Sequence, residues 1–88
     1  MTRILRKYFL DYNKLVNLVK RARERWPDFE IQKVIFKRSK QILYVRAQGY
    51  RFKVIVYYKG KVRVYGPLAG CEMALKRMVY RVLGLEPH

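Results

Sequence analysis

The chain has 88 residues, of which 51% are hydrophobic and 31% charged, and its 21 Lys and Arg against 6 Asp and Glu give a net charge of +15. This composition is too apolar for a disordered tail and too charged for a membrane span, so it predicts one folded domain over residues 1 to 88. The excess positive charge repels itself and favours a polyanionic partner, because phosphates that bind Lys and Arg release counterions.

The start of the chain, MTRILRKYFLDY, lacks the apolar centre and cleavage site of a signal peptide, and no run of 18 apolar residues occurs. We therefore expect a cytoplasmic protein with no membrane partner. Residues 1 to 9 are open to two interpretations, a separate arm or an extension of the first helix. The high Lys and Arg content and the many tyrosines are typical of a thermophile.

The first predicted element is an amphipathic helix over residues 11 to 25. Its apolar residues recur at helical spacing, at Leu15, Leu18, Val19 and Ala22. Asp11 is a suitable N-cap, and Pro27 biases Trp26 away from helical geometry and so ends the helix. Trp26 is predicted to anchor the helix against a sheet; a surface Trp that stacks on a base is the alternative.

Four antiparallel strands are predicted next, at residues 30 to 37, 41 to 48, 51 to 58 and 61 to 66. Turn sequences separate them at 37 to 40, 49 to 51 and 58 to 61. Connections this short keep sequential strands adjacent, which predicts a meander. After Gly66 and Pro67, a second apolar stripe predicts a C-terminal helix that Gly84 closes. The predicted fold is α+β, in the order α-β-β-β-β-α, with both helices on one face of the sheet.

Alternate residues of a strand point to opposite faces, and here the two sets differ sharply. The apolar set is predicted to face the helices and comprises Val34, Phe36, Leu43, Val45, Ala47, Phe52, Val54, Val56, Val62 and Val64. The opposite set carries cations and tyrosines, with Ile35, Ile42 and Ile55 among them, and the segment from Ile31 to Tyr65 contains no acid. A face selected only for solubility would mix both charge signs.

Tyrosines interleaved with cations are typical of surfaces that bind single-stranded nucleic acid, since rings stack on bases while Lys and Arg contact phosphates. We therefore predict a non-catalytic protein that binds single-stranded DNA or RNA on this face. Stacking is assigned to Tyr44, Tyr57 and Tyr65. Phosphate contacts are assigned to Lys37, Arg46, Lys53, Lys59, Lys61 and Arg63. Because a bulge would reverse part of a strand, the first strand, Tyr50 and Tyr58 are the least secure assignments.

Several alternatives remain open at this point. In one, the protein is a structural component of a ribonucleoprotein such as a ribosome. In another, it is a chromatin protein that binds duplex DNA. In a third, its cations and tyrosines form an ordinary thermophile surface. The three isoleucines with the tyrosines would also suit a homodimer interface.

The sequence offers little for catalysis, and we predict no enzyme activity, cofactor or metal site. The single histidine is His88. Asp28 and Glu30 are expected to cap backbone amides rather than hold a metal. Cys71 is expected to fill the core, the alternative being a thiol activated by a helix N-terminus. The segment 66 to 70 would suit a phosphate but is more typical of a plain turn.

In organisation and composition the chain resembles ThermoDBP, the single-stranded DNA-binding family of hyperthermophilic archaea, in which a basic, aromatic-bearing antiparallel sheet packs against helices. The resemblance would cover most of the chain and implies binding of single-stranded DNA. It rests on no motif at numbered positions, so it assigns no residue a role. Double-stranded RNA-binding domains share the helix, strands, helix order but have three strands.

Overall fold

A computed structural model describes residues 8 to 85 and contains two helices and one four-stranded sheet. The elements are α1 (Tyr12–Arg25), β1 (Glu30–Phe36), β2 (Lys40–Ala47), β3 (Tyr50–Tyr57), β4 (Val62–Tyr65) and α2 (Ala69–Leu83). The predicted α-β-β-β-β-α order is confirmed. Neither helix in this part of the chain is long and apolar enough to cross a membrane.

Helix α1 begins and ends as its sequence predicts. The side chain of Asp11 accepts a hydrogen bond from the Lys14 backbone N–H at 2.9 Å, and Trp26 forms the C-cap in an extended conformation before Pro27. Residues 8 to 10 precede the helix and are not helical. The prediction of an arm or helix extension over residues 1 to 9 otherwise falls on residues 1 to 7, outside the described part of the chain.

The sheet is an antiparallel meander in the order β1-β2-β3-β4, as predicted. The predicted strand limits differ from the observed ones by at most one residue at each end. Lys40 lies in β2 rather than in the preceding turn, and Tyr50 is the first residue of β3 rather than part of a turn. Both residues pair across the ladder, Lys40 with Tyr57 and Tyr50 with Ala47.

Asp28, in the connection between α1 and β1, stabilises the β2–β3 turn through hydrogen bonds. Gln48 and Gly49 both have positive φ, at 55° and 77°, as a tight two-residue hairpin turn requires. The two carboxylate oxygens of Asp28 accept hydrogen bonds from the backbone N–H groups of these residues, each at 2.8 Å. These bonds hold the pKa of Asp28 below its usual value of 3.8. Asp28 therefore caps backbone amides, as predicted, but those of a distant hairpin.

Because the folded pKa of Asp28 is lowered, its stabilising effect is present above pH 4 and is lost as the pH falls through the folded pKa. We expect Asp28→Asn to lower the melting temperature at neutral pH, and we expect the difference from the wild type to shrink as the pH falls below 3.8. Thermal melts across a pH series measure this. Glu24→Gln, at an exposed site on α1, is the charge-matched control. A difference that stays constant with pH would contradict the assignment.

Glycines lie at both ends of α2: Gly66 in the connection from β4, and Gly84 at the C-cap. Gly66 lies against the Phe52 ring, and a Cβ atom at this position would overlap it. The Gly66 backbone N–H donates to the carboxylate of Glu72 in the first turn of α2. Gly84 ends the helix in the left-handed conformation, with φ of 79°, as predicted.

The core lies between the helices and one face of the sheet. The predicted apolar set of the strands faces this core, except that Phe36 at the end of β1 is 48% exposed. Trp26 is 2% exposed, which confirms its role as an anchor, and its ring stacks on Phe29 with centroids 6.3 Å apart. Phe9 and Leu10, ahead of α1, are also buried in this core.

A polar residue is fully buried on the helix-facing side. Gln41 of β2 is 0% exposed and binds the backbone of Leu10 twice. Its Oε1 accepts from the Leu10 N–H at 2.7 Å, and its Nε2 donates to the Leu10 carbonyl at 3.0 Å. The segment before α1 is thereby joined to the sheet as a strand would be, with both side-chain groups satisfied.

We expect Gln41→Leu to destabilise the fold by about 1 to 3 kcal/mol, because the Leu10 N–H and carbonyl would stay buried without partners. Chemical denaturation at neutral pH measures the change. The control is Gln32→Leu at an exposed position of β1, where no buried polar group loses its partner. An unchanged unfolding midpoint in Gln41→Leu would contradict the structural role of this amide.

Candidate nucleic-acid interface

The sheet face opposite the helices, here called the outer face, carries the tyrosines and cations that the sequence singled out. The register of the three strand pairs aligns its residues into lines that cross the sheet. The first line crosses all four strands and is called the Tyr44 line: it comprises Lys33, Tyr44, Lys53 and Tyr65. Lysine and tyrosine alternate along it, so each ring has a cation on at least one side.

Two further lines run parallel to the Tyr44 line. The isoleucine line comprises Ile35, Ile42, Ile55 and Arg63. The Tyr57 line comprises Lys37, Lys40, Tyr57 and Lys61. Lys37 pairs with Lys40, and Tyr57 with Lys61, each through a backbone hydrogen bond of 2.8 Å. Ile42 and Ile55 are each only 6% exposed although they lie outside the core cluster. The outer face therefore presents half-buried tyrosines and cations rather than an apolar patch.

The fourth line brings an acid onto this face. The register shifts between Ile31 and Lys33, so that Ile31 pairs with Val45 on the core side while Glu30 pairs with Arg46 on the outer face. The Arg46 Nη2 and the Glu30 Oε1 are 3.3 Å apart, and both side chains are less than half exposed. Glu30 thus pairs with Arg46 instead of capping a backbone amide as predicted.

Like charges lie directly opposite each other at two places on the outer face. Arg46 pairs with Arg51, and Lys37 pairs with Lys40. Directly opposed like charges destabilise a strand pair by up to about 1 kcal/mol relative to neutral residues. Among residues 8 to 85 the one ion pair is that of Arg46 with Glu30, so most of this charge has no counterion within the described part of the chain.

The predicted site residues fall into two groups. Tyr44, Arg46, Lys53, Tyr57, Lys61, Arg63, Tyr65 and Lys37 all belong to the lines of the outer face or their continuation. Lys59 departs from them, because it lies in the β3–β4 turn with its ammonium 5.8 Å from the ring centroid of Tyr58. These two residues line a hollow of about 370 Å³ at the hairpin, together with Tyr57, Lys61 and Arg63.

The structure decides the face of the two least secure tyrosines and adds three cations to the outer face that were not among the predicted site residues. Tyr50 and Tyr58, the least secure tyrosines, lie on the core side: Tyr58 packs on the core, whereas Tyr50 is 47% exposed at the hairpin end. Lys33 and Arg51 have the right alternation for the outer face but were not selected as site residues. Lys40 was missed because it was assigned to a turn, although it stands two residues before Ile42 and so shares its parity.

The remaining candidates for chemistry have structural roles. Cys71 is 7% exposed within the core cluster, and burial raises the pKa of its thiol, which favours the protonated form over a reactive thiolate. Gly66 in the segment 66 to 70 gives its N–H to Glu72 instead of to a ligand. Over residues 8 to 85 there is no cluster of three or more metal-ligating His, Cys, Asp or Glu side chains.

Comparison of this chain with known proteins gave no match among protein-family models, curated proteins or solved structures. The resemblance to the ThermoDBP family therefore stays a prediction from organisation and composition.

Proposed function

We propose that this protein binds single-stranded DNA or RNA, without catalysis, on the outer face of its sheet. The observation that carries the proposal is the Tyr44 line, in which tyrosine and lysine alternate across all four strands. Each ring is a platform for a base, and the flanking ammonium groups are placed to contact the phosphates on either side of it. The strand pairing thus supports a path for the nucleic acid that crosses the strands.

The shape of the face favours single strands over duplexes. A four-stranded sheet offers a broad surface on which splayed bases lie flat, whereas a duplex groove admits a helix or a two-stranded ribbon. Tyr65, at the edge strand, is half exposed and so has a ring face free for stacking. Tyr44 and Tyr57 are partly buried, which holds their rings in place and lowers the entropy lost on binding.

The phosphate contacts differ in strength across the face. Every assigned cation except Arg46 lacks a carboxylate partner in the described part of the chain: Lys37, Lys53, Lys59, Lys61 and Arg63. Lys33, Lys40 and Arg51 join them by position. Arg46 is a weaker contact, because a phosphate must compete with Glu30 for its guanidinium. Lys59 is placed to contact the strand only where the strand passes the β3–β4 hairpin.

Titration of fluorescently labelled single-stranded DNA, single-stranded RNA and duplex DNA, followed by anisotropy over a salt series, tests the proposal. We expect both single strands to bind more tightly than the duplex, and we expect this preference to persist at moderate salt, because stacking is not screened by ions. Equal binding of all three that collapses with salt would overturn the proposal. That result would favour a polycation that packs RNA in a ribonucleoprotein or coats duplex DNA.

A further inference from the structure

A basic hollow lies on the opposite side of the molecule from the outer face, between the two helices. Three arginines line it: Arg25 at the end of α1, and Arg77 and Arg81 on α2. Its volume is about 330 Å³, at the lower end of the range for sites that hold small ligands. Arg25 thus meets two arginines that follow it by 52 and 56 residues in the sequence. We call this site the arginine hollow.

The positive charge of the arginine hollow is not neutralised by the described residues. Arg77 and Arg81 are four residues apart on one helix, where like charges repel. None of the three arginines forms an ion pair within residues 8 to 85. Arg25 lies over the indole ring of Trp26, with its guanidinium carbon 5.6 Å from the ring centroid, which restricts where its charge is placed.

Four of the five acids among residues 8 to 85 are engaged elsewhere, and the fifth, the exposed Glu24, does not line the arginine hollow. Asp11 caps α1, Asp28 holds the β2–β3 turn, Glu30 pairs with Arg46, and Glu72 accepts from Gly66. A hollow that keeps three guanidinium groups together without a carboxylate is suited to a phosphate, which Arg binds through parallel hydrogen bonds.

A second hollow connects this region to the outer face. It lies between the edge strand β4 and α2 and has a volume of about 230 Å³. Its charged and aromatic lining residues are Arg63 and Tyr65 of the outer face, Lys76, and Glu72, whose carboxylate accepts the Gly66 N–H. Met73 of α2 lines both this hollow and the arginine hollow. Basic side chains therefore follow one another from Arg63 through Lys76 to Arg77, around the β4 edge.

We propose that the arginine hollow is a second phosphate-binding site for the same nucleic-acid strand. The strand leaves the outer face beside Tyr65, passes Lys76 at the β4 edge and places a backbone phosphate among the three arginines. This inference rests on the proposed function, and it adds that the binding site is longer than the sheet. Strands confined to the sheet do not reach the arginine hollow, so its contribution depends on strand length.

The test compares the wild type with Arg77→Gln/Arg81→Gln on single strands of about 5 and about 15 nucleotides, near the limits of the site sizes known for single-strand-binding folds. We expect the variant to bind the long strand several-fold more weakly. The slope of log affinity against log salt should be flatter by about 0.7, since one phosphate contact is lost and each phosphate contact contributes about 0.7. The affinity for the short strand should be unchanged relative to the control.

The control is Lys20→Gln/Arg21→Gln, which removes the same charge from exposed positions of α1 that line neither hollow. Thermal melts establish that both variants are folded. Equal losses on the short and long strands, or a loss no greater than that of the control, would overturn the second site while leaving the outer face in place. Failure of the wild type to bind any single strand would instead overturn the proposed function.

Discussion

Replacing both Tyr57 and Tyr65 by alanine is expected to weaken binding of single strands by about 2 to 6 kcal/mol, at least about 30-fold, because each stacked base contributes about 1 to 3 kcal/mol. The two residues lie on different strands and in different lines of the outer face, so their effects are expected to add. Anisotropy titration at fixed salt measures the change. The loss should be the same at low and moderate salt, since no charge is removed.

Two further variants separate stacking from other effects of these tyrosines. Tyr57→Phe/Tyr65→Phe keeps both rings and should retain most of the affinity. Tyr12→Ala removes a tyrosine that is 78% exposed on α1 and should leave binding unchanged. Wild-type affinity in a folded Tyr57→Ala/Tyr65→Ala variant would contradict the stacking role, and a loss of equal size in the phenylalanine variant would assign the effect to the hydroxyl groups.

The largest loss of stability is expected from Trp26→Ala, by about 3 to 5 kcal/mol, because the substitution removes the largest buried side chain of a thin core. Trp26 is 2% exposed, stacks on Phe29 and lies under the guanidinium of Arg25. A loss of this size is a large share of the roughly 5 to 15 kcal/mol by which small domains are stable. Urea denaturation followed by circular dichroism measures it.

Trp26→Phe is the matched variant, and it should cost less than Trp26→Ala because it leaves a smaller cavity beside Phe29. Pro27, the exposed neighbour, is the control for the position, and Pro27→Ala should change stability far less. A loss below about 1 kcal/mol in Trp26→Ala would mean that the indole ring does not anchor α1 against the sheet.

The order of the elements and the two faces of the sheet were predictable because their signals are local. Helical spacing with Asp11 and Pro27 at its ends marked α1, and Gly84 marked the end of α2. Alternation of apolar and basic residues separated the core face from the outer face, since the strand period of two acts on each strand alone. The strand ends were less certain, because pairing rather than propensity decides whether Lys40 and Tyr50 extend a ladder.

Parts of the candidate site depended on contacts between distant residues. Strict alternation back from Lys33 places Glu30 on the core side, and only the register shift at Gln32 brings it to the outer face beside Arg46. Gln41 follows the apolar parity of β2 but is polar, and its role appears only with the Leu10 backbone that it binds. The hold of Asp28 on the β2–β3 turn is likewise set by packing.

By itself, the sequence determined that this protein is a strongly basic α+β domain and, from Lys33 onward, which strand residues share a face, because charge and alternation are properties of the chain. The tertiary structure alone decided that lysines and tyrosines align across four strands, and that Arg25 meets Arg77 and Arg81 between the helices. The physical reason is that a local pattern sets the direction of a side chain, whereas strand register and helix packing set its neighbours.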